Sequence, residues 1–319
     1  MSVVARIETC VVDTCNNCNS RRSSLIGISS DFEYGTCANE FEYVRCGDCG
    51  LVYLRNRPDV RALPIIYPEN YIPHRFNEHL GPIIAKLRSW VQTRKITGIR
   101  RYAGMNAVIV DVGTGNGELL QILRDKNTAN WTLVGVDFAA EAVKRVRELG
   151  LLAVQSRFED LQWRDLPAPQ VIIMNQVIEH LADPAAAVAK AYDLLVPGGV
   201  LFIETPSMDG WDAKLFGKRH WGGWHTPRHW VLYDQETLGS LLTRVGFEVV
   251  ETTYLLSPNF WLQSLHHYVL ETLKSPRLAK YFDVQCFPSL LFATMVDMAQ
   301  RALRGKTSNF RMVARKPCT

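Results

Sequence analysis

The chain has no apolar run long enough to cross a bilayer, no internal repeat and no low-complexity stretch. Its longest late apolar stretch, Val284 to Val296, is short and interrupted by Gln285, Pro288 and Ser289. Met1 to Arg6 has no signal-type apolar core, so a cytoplasmic location is expected. A large charge excess is also missing. The 36 Lys and Arg against 32 Asp and Glu leave +4, too mild by itself to argue for nucleic acid. Cysteine is nearly absent beyond residue 49, where only Cys286 and Cys318 remain of eight. Six cysteines crowded into the first 49 residues, without a secretion signal, exclude a disulfide framework and read as metal binding. What is present is an ordinary globular composition, 47% hydrophobic over 319 residues, enough for one large domain and a small one.

The small unit is residues 1–57. Cys15-Asn-Asn-Cys18 and Cys46-Gly-Asp-Cys49 are two Cys-x-x-Cys pairs. Each pair can chelate one edge of a tetrahedral zinc, so Cys15, Cys18, Cys46 and Cys49 are the expected ligands of a closed structural site. Gly47, Gly50 and Asn19 supply the backbone freedom of the knuckles. Phe41 to Arg45 alternates and predicts a strand leading into the second knuckle. Cys10 and Cys37 are spare thiols. Residues 58–104 form a linker and a helix. Pro58, Pro64, Pro68 and Pro73 forbid a long helix at its start, and Tyr67, Tyr71 and His74 place aromatic and polar groups there. Apolar positions at helical spacing follow from Leu80 to Val91, with six basic residues between Lys86 and Arg101.

The large unit, 105–319, opens on Val108-Ile-Val-Asp-Val-Gly-Thr-Gly-Asn-Gly-Glu-Leu-Leu120. An apolar strand broken only by Asp111 runs into Gly113, Gly115 and Gly117, and then into a helix. That is a nucleotide-binding corner. A dinucleotide fingerprint would place its third glycine at Glu118, whose carboxylate is a poor partner for pyrophosphate. The corner therefore suits a nucleoside without phosphates. Asp137 ends the next apolar run, where an acid accepts both ribose hydroxyls. Strand and helix then alternate through Leu151–Gln155, Gln170–Asn175 and Val200–Glu204. A helix capped by Asp234 and the strand Phe247–Tyr254 follow, and the last strand is Asn309–Arg315. Residues 257–306 are a helical, aromatic-rich insertion that offers a homodimer contact.

These features resemble the class I S-adenosylmethionine-dependent methyltransferases. The resemblance implies an α/β, Rossmann-like sheet of seven strands, helices on both faces, with Asn309–Arg315 antiparallel to its neighbours. It implies cofactor contacts from Asp111, Gly113, Gly115, Gly117, Asp137, Phe138, Phe158 and Asn175. Glu159 takes the adenine-edge role, because Ser156 and Arg157 stand where an acid is usual. Some similar enzymes hold a divalent cation with Glu-x-x-Glu-His. Here the first position is Gln176, so Glu179 and His180 are expected to pack and hydrogen-bond locally.

A lid, 207–233, follows the fifth strand and crowds Trp211, His220, Trp221, Trp224, His225, Arg228, His229 and Trp230 around Gly222-Gly223. The ribbon, the Tyr-Pro-Glu-Asn-Tyr linker, the corner and Trp-His-Thr-Pro-Arg-His together look like a bacterial group with a four-cysteine zinc ribbon, whose members act on sugars, glycans and secondary metabolites. The similarity to sugar C-methyltransferases stops short of their long C-terminal domain. The expected reaction is O-methylation of a sugar or small metabolite. The alternatives are carbon methylation of a nucleotide sugar, or nucleic-acid binding or RNA methylation through the ribbon. His225 is the expected general base, with His229 in reserve and Arg228 holding an anionic part of the acceptor. Tyr71, Trp221 and Trp224 are the expected acceptor contacts.

Overall fold

The computed structural model describes residues 5–67, 96–126, 129–164 and 166–318. Tyr71, His74 and the helix expected over Leu80 to Val91 lie outside the described residues.

Near the N-terminus, β1 (Thr9–Val11) pairs antiparallel with β5 (Asn56–Pro58), while β2 (Ser23–Ser30), β3 (Glu40–Cys46) and β4 (Val52–Leu54) form a meander. β3 contains the predicted strand. Phe41 and Tyr43 alternate inward, as a half-buried strand requires.

The seven-stranded sheet is built from β6 (Val108–Val112), β7 (Thr132–Asp137), β8 (Leu152–Gln155), β9 (Val171–Asn175), β10 (Val200–Pro206), β12 (Glu248–Tyr254) and β13 (Asn309–Arg315). Their order is β12-β13-β10-β9-β6-β7-β8, with β13 antiparallel to both neighbours. β6 lies inside the sheet, between β9 and β7, and is buried on both faces, which is why it reads as an apolar run instead of an alternating one. Helix ends follow local chemistry. Asp183 accepts from Ala186 N, and Asp234 and Thr237 form a capping box. Gly246 closes the second helix at φ 112°, a conformation that costs a residue with Cβ. Among the described residues no helix is long and apolar enough to cross a membrane.

Two features escaped the sequence. β2 shows no clean alternation and was not expected. The lid also contributes a strand, β11 (Val231–Leu232), which extends the N-terminal sheet in the order β11-β4-β3-β2. Val231 pairs with Tyr53 and Leu232 with Val52. Ribbon and lid consequently share one apolar cluster, in which Phe41, Tyr43, Val52 and Leu54 meet Trp221, Trp224, Trp230 and Leu232. Tyr43 stacks on Trp224 at 3.8 Å between centroids. Its hydroxyl donates to the Trp224 carbonyl at 3.0 Å. The insertion is helical as expected, through Pro258–Glu271, Pro276–Ala279 and Phe287–Arg304. Arg219 of the lid clasps Glu271 of the insertion through two guanidinium nitrogens, and Glu40 of β3 joins the pair.

Removing the Trp224 ring leaves a cavity between lid and ribbon. Trp224→Ala is expected to lower unfolding free energy by about 3–5 kcal/mol, measured by denaturant titration.

Candidate functional site

The glycine corner has the conformation its sequence demands. Gly113, Gly115 and Gly117 lie at φ 67°, 55° and 76°. A Cβ on Gly113 would come within 2.6 Å of Val177 Cγ2, so a side chain is excluded there by contact as well as by backbone conformation. Asp137 is held by two backbone donors, Gly115 N at 3.0 Å and Ala139 N at 2.9 Å. Its carboxylate is therefore fixed at the end of β7, with further lone pairs left to accept hydroxyls. Asp111 is buried at the base of the corner. Phe138 follows Asp137 and is 55% exposed, an open aromatic face. Asn175 ends β9 and lines a small hollow with Ile99, Leu119, Ile173, Phe202, Glu204 and Arg311. Within it Arg311 pairs with Glu204, two residues the sequence reading did not single out.

Two expected adenine contacts sit differently. Phe158 is buried in the same core cluster as Leu161, so its ring is largely spent on packing. Glu159 is paired with Arg157 at 2.9 Å, so its carboxylate is engaged along the chain.

The lid closes over a cluster of three imidazoles. Ring centroids lie 4.7 Å apart for His180 and His229, 4.9 Å for His225 and His229, and 6.2 Å for His180 and His225. His229 Nδ1 donates to the Gly223 carbonyl at 2.8 Å, and burial pushes the ring's pKa well below the ordinary range. His180 Nδ1 meets the Arg228 carbonyl at 3.0 Å, and burial pushes its pKa down to about 3. Both are neutral at physiological pH. His225 stands at φ 39°, with Nδ1 hydrogen-bonded to Glu33 between β2 and β3. Burial pushes the Glu33 carboxyl up, but its electrostatic interaction and hydrogen bond with His225, together with His267 and Arg228, outweigh this and hold it below the usual range.

Glu179 is fully buried, and desolvation raises its pKa to about 8. Thr205 donates to its Oε2 at 3.0 Å, while Oε1 is buried without a hydrogen bond and lies 4.0 Å from His229 Nε2. Glu179, His180 and His229 each bring a ligand atom within 4.8 Å of the others. In place of the local bonds expected of Glu179 and His180, their side chains reach Thr205, the Arg228 carbonyl and Tyr67. Their grouping with His229 was not legible, since it depends on the lid folding back.

Three lid expectations are corrected. Arg228 is wholly buried and does not face an acceptor. Its guanidinium donates to Asp31 at 3.2 and 3.3 Å, to the Ile66 carbonyl at 2.7 Å and to the Thr226 carbonyl at 3.1 Å. A charge taken out of water must be paired in this way. Trp221 and Trp224 are each 1% exposed and are core residues, not sugar platforms. Their indole N–H groups are spent on Asp212 and the Gly217 carbonyl.

Tyr67 bridges the two halves of the site. Its hydroxyl lies 3.1 Å from His180 Nδ1, and its ring meets Phe138 edge-on at 6.4 Å. The cofactor corner and the imidazole cluster are thus neighbours beyond the carboxyl ends of the strands, where open α/β sheets bind ligands.

At the far end of the ribbon, Cys15, Cys18, Cys46 and Cys49 bring their sulfurs within 4.8 Å of one another. Cys15–Cys49 and Cys18–Cys46 are both 3.5 Å apart. Four thiolates around one tetrahedral ion stand roughly 3.8 Å apart. Asn17 N and Asp48 N each point at the first sulfur of their knuckle, at 3.4 Å, so the two knuckles have the same build.

A family model described as a methyltransferase domain matches residues 87–252, a little over half of the chain. The chain belongs to this methyltransferase family. The methyltransferase is 28% identical over 199 residues to a protein of Mycolicibacterium smegmatis named a probable S-adenosylmethionine-dependent methyltransferase, covering 58% of this chain and 70% of that one. A ubiquinone biosynthesis O-methyltransferase of Xylella fastidiosa is 34% identical over 105 residues, 31% of this chain and 42% of its own length, so the chain spans less than half of that relative. Solved structures agree on the fold. A chain in a methyltransferase-activator complex of Haloferax volcanii superposes with a TM-score of 0.51 at 17% identity, over 72% of this chain and 91% of that one. A SAM-dependent methyltransferase of Thermotoga maritima gives 0.50 at 15% identity, over 79% and 98%.

This methyltransferase uses S-adenosylmethionine. An adenosyl group fits the residues present: a cradle of three left-handed glycines with no room for a side chain at Gly113, an acid held for the ribose, and an open ring at Phe138. Asp137→Ala is expected to weaken binding of S-adenosylhomocysteine by about 1.5–3 kcal/mol in calorimetry, through loss of charge-assisted hydrogen bonds.

Proposed function

We propose that this methyltransferase transfers methyl to a hydroxyl of a sugar or small metabolite in the cytoplasm, with His225 as general base. The cofactor's sulfonium supplies an already activated methyl group. The protein must exclude water, align the hydroxyl in line with that methyl and remove its proton. The supporting observation is the His225–Glu33 pair. A carboxylate on Nδ1 fixes the tautomer and ring plane, and directs Nε2 as the proton acceptor. His229 and His180 are held neutral and buried, which suits them to shaping the pocket. His225→Ala is expected to lower turnover by about 10²–10⁴ while affinity for S-adenosylhomocysteine stays near wild type. Glu33→Gln is expected to lower turnover less. Near-wild-type turnover in His225→Ala would remove the base from the lid.

One observation favours a second reading. Buried Glu179 Oε1 has no hydrogen bond and faces His229 Nε2, with His180 alongside, a carboxylate and two imidazoles that suit a divalent cation beside the acceptor. Loss of turnover on chelation, restored by added divalent metal, would favour it. Turnover indifferent to chelators would leave the base as the working group.

We also propose that the four-cysteine cluster holds one structural zinc. Four soft donors with no open position, buttressed by N–H···S contacts, suit that ion. Metal analysis of Cys46→Ser/Cys49→Ser is expected to find the zinc gone, and limited proteolysis to cut residues 1–57. Full zinc retention would refute the ligand set.

A further inference from the structure

The helix Phe287–Arg304 ends the insertion before β13 and runs 18 residues. Its inner side is tied down. Ala293, Asp297 and Gln300 are buried, Asp297 accepts from Ser257 N at 2.5 Å, and Gln300 accepts from Trp211 N at 3.0 Å. Its outer side carries Phe287, Leu291, Phe292, Met295, Met298 and Leu303 at helical spacing, with alanines and a proline between them and no charge. All six are exposed, Phe292 by 61% and Leu303 by 76%. A solvent-facing helix side is ordinarily polar, and an apolar side this long marks a contact.

The charges stand around this face instead of on it. Arg301 and Arg304 lie in the last turn of the helix. Lys280 and exposed Tyr281 belong to the turn Lys280–Phe282 packed against it, with Lys274 and Arg277 just before. Between residues 272 and 306 the only exposed acid is Asp283, because Asp297 points inward. A second copy docked through a two-fold axis would bring two such basic fringes together. An anionic bilayer complements them. Lys and Arg are drawn to the headgroups, while Phe, Leu and Met enter the acyl boundary and Tyr281 sits at the interface.

We propose that the outer face of Phe287–Arg304 is a membrane-surface docking site, on which the methyltransferase lies against anionic lipid without spanning it. The site is separate from the imidazole cluster and does not depend on the identity of the acceptor.

The test is co-sedimentation of the full chain with vesicles of phosphatidylglycerol and phosphatidylcholine in equal parts. The wild type is expected to pellet with them and to bind phosphatidylcholine alone at least about tenfold more weakly. Phe292→Ser/Met295→Ser is expected to stay in the supernatant, with S-adenosylhomocysteine affinity unchanged as the measure of folding. Arg301→Glu/Arg304→Glu, which leaves the apolar face intact, is expected to lose the preference for anionic lipid. A wild type that stays in the supernatant at low salt overturns the proposal, as does a serine variant that pellets as well as the wild type. Sedimentation equilibrium showing a dimer that the serine variant splits would make the face a self-interface and would equally overturn it.

Discussion

The lid has no core of its own, and the architecture of the site follows from that constraint. Its three buried indoles, Trp221, Trp224 and Trp230, can leave water only by packing on another layer. The layer available is the ribbon meander, which offers Phe41, Tyr43, Val52 and Leu54 on one face and the open edge of β4 for β11. Pairing β11 there satisfies an edge that would otherwise stand bare. It also sets the direction of the chain from Gly222 to Trp230, and so brings the lid histidines over the ends of the strands. The segment that carries the four-cysteine cluster and the lid are thereby packed as one layer. The cysteine cluster and the lid meet the same sheet, since Cys46 ends β3 and β11 pairs with β4.

Burying so many polar groups under the lid is costly, and the protein meets the cost in different ways. Arg228 is neutralised by Asp31 and two carbonyls, a paired charge that holds the lid to the β2–β3 connection. Glu33 keeps its charge because His225 stands against it. His229 and His180 give up theirs and use their ring nitrogens on carbonyls. Glu179 keeps one buried oxygen without a hydrogen bond beside the His229 imidazole. Buried polar atoms in that state concentrate at working sites, because a fold gains nothing from them by themselves.

The corner was legible from the sequence because each of its requirements is local. Left-handed φ at alternate residues selects Gly113, Gly115 and Gly117, and a strand buried on both faces selects Val108 to Val112. The acid that faces the turn follows at the end of the next strand, a fixed distance on. The cysteine pairs were legible for the same reason, since two ligands three residues apart share one knuckle. The lid was legible only as a composition. Its aromatics and histidines were visible, but which face water, which face the core and which face one another is decided by partners such as Tyr43, Asp31 and Glu33. These lie in a different segment of the chain, more than 180 residues away. That is why Trp221, Trp224 and Arg228 read as binding residues and are structural ones.

By itself, then, the sequence determined the elements whose reasons lie within a few residues: the seven-strand pattern, the glycine turn, the helix caps and the paired thiols. Tertiary structure decided what depends on distant surfaces meeting. It joined β11 to β4, buried the lid tryptophans, set a carboxylate behind His225, and left the outer side of Phe287–Arg304 bare. The physical reason is that backbone conformation and chelate spacing are local constraints, whereas burial and charge pairing are properties of the assembled interior.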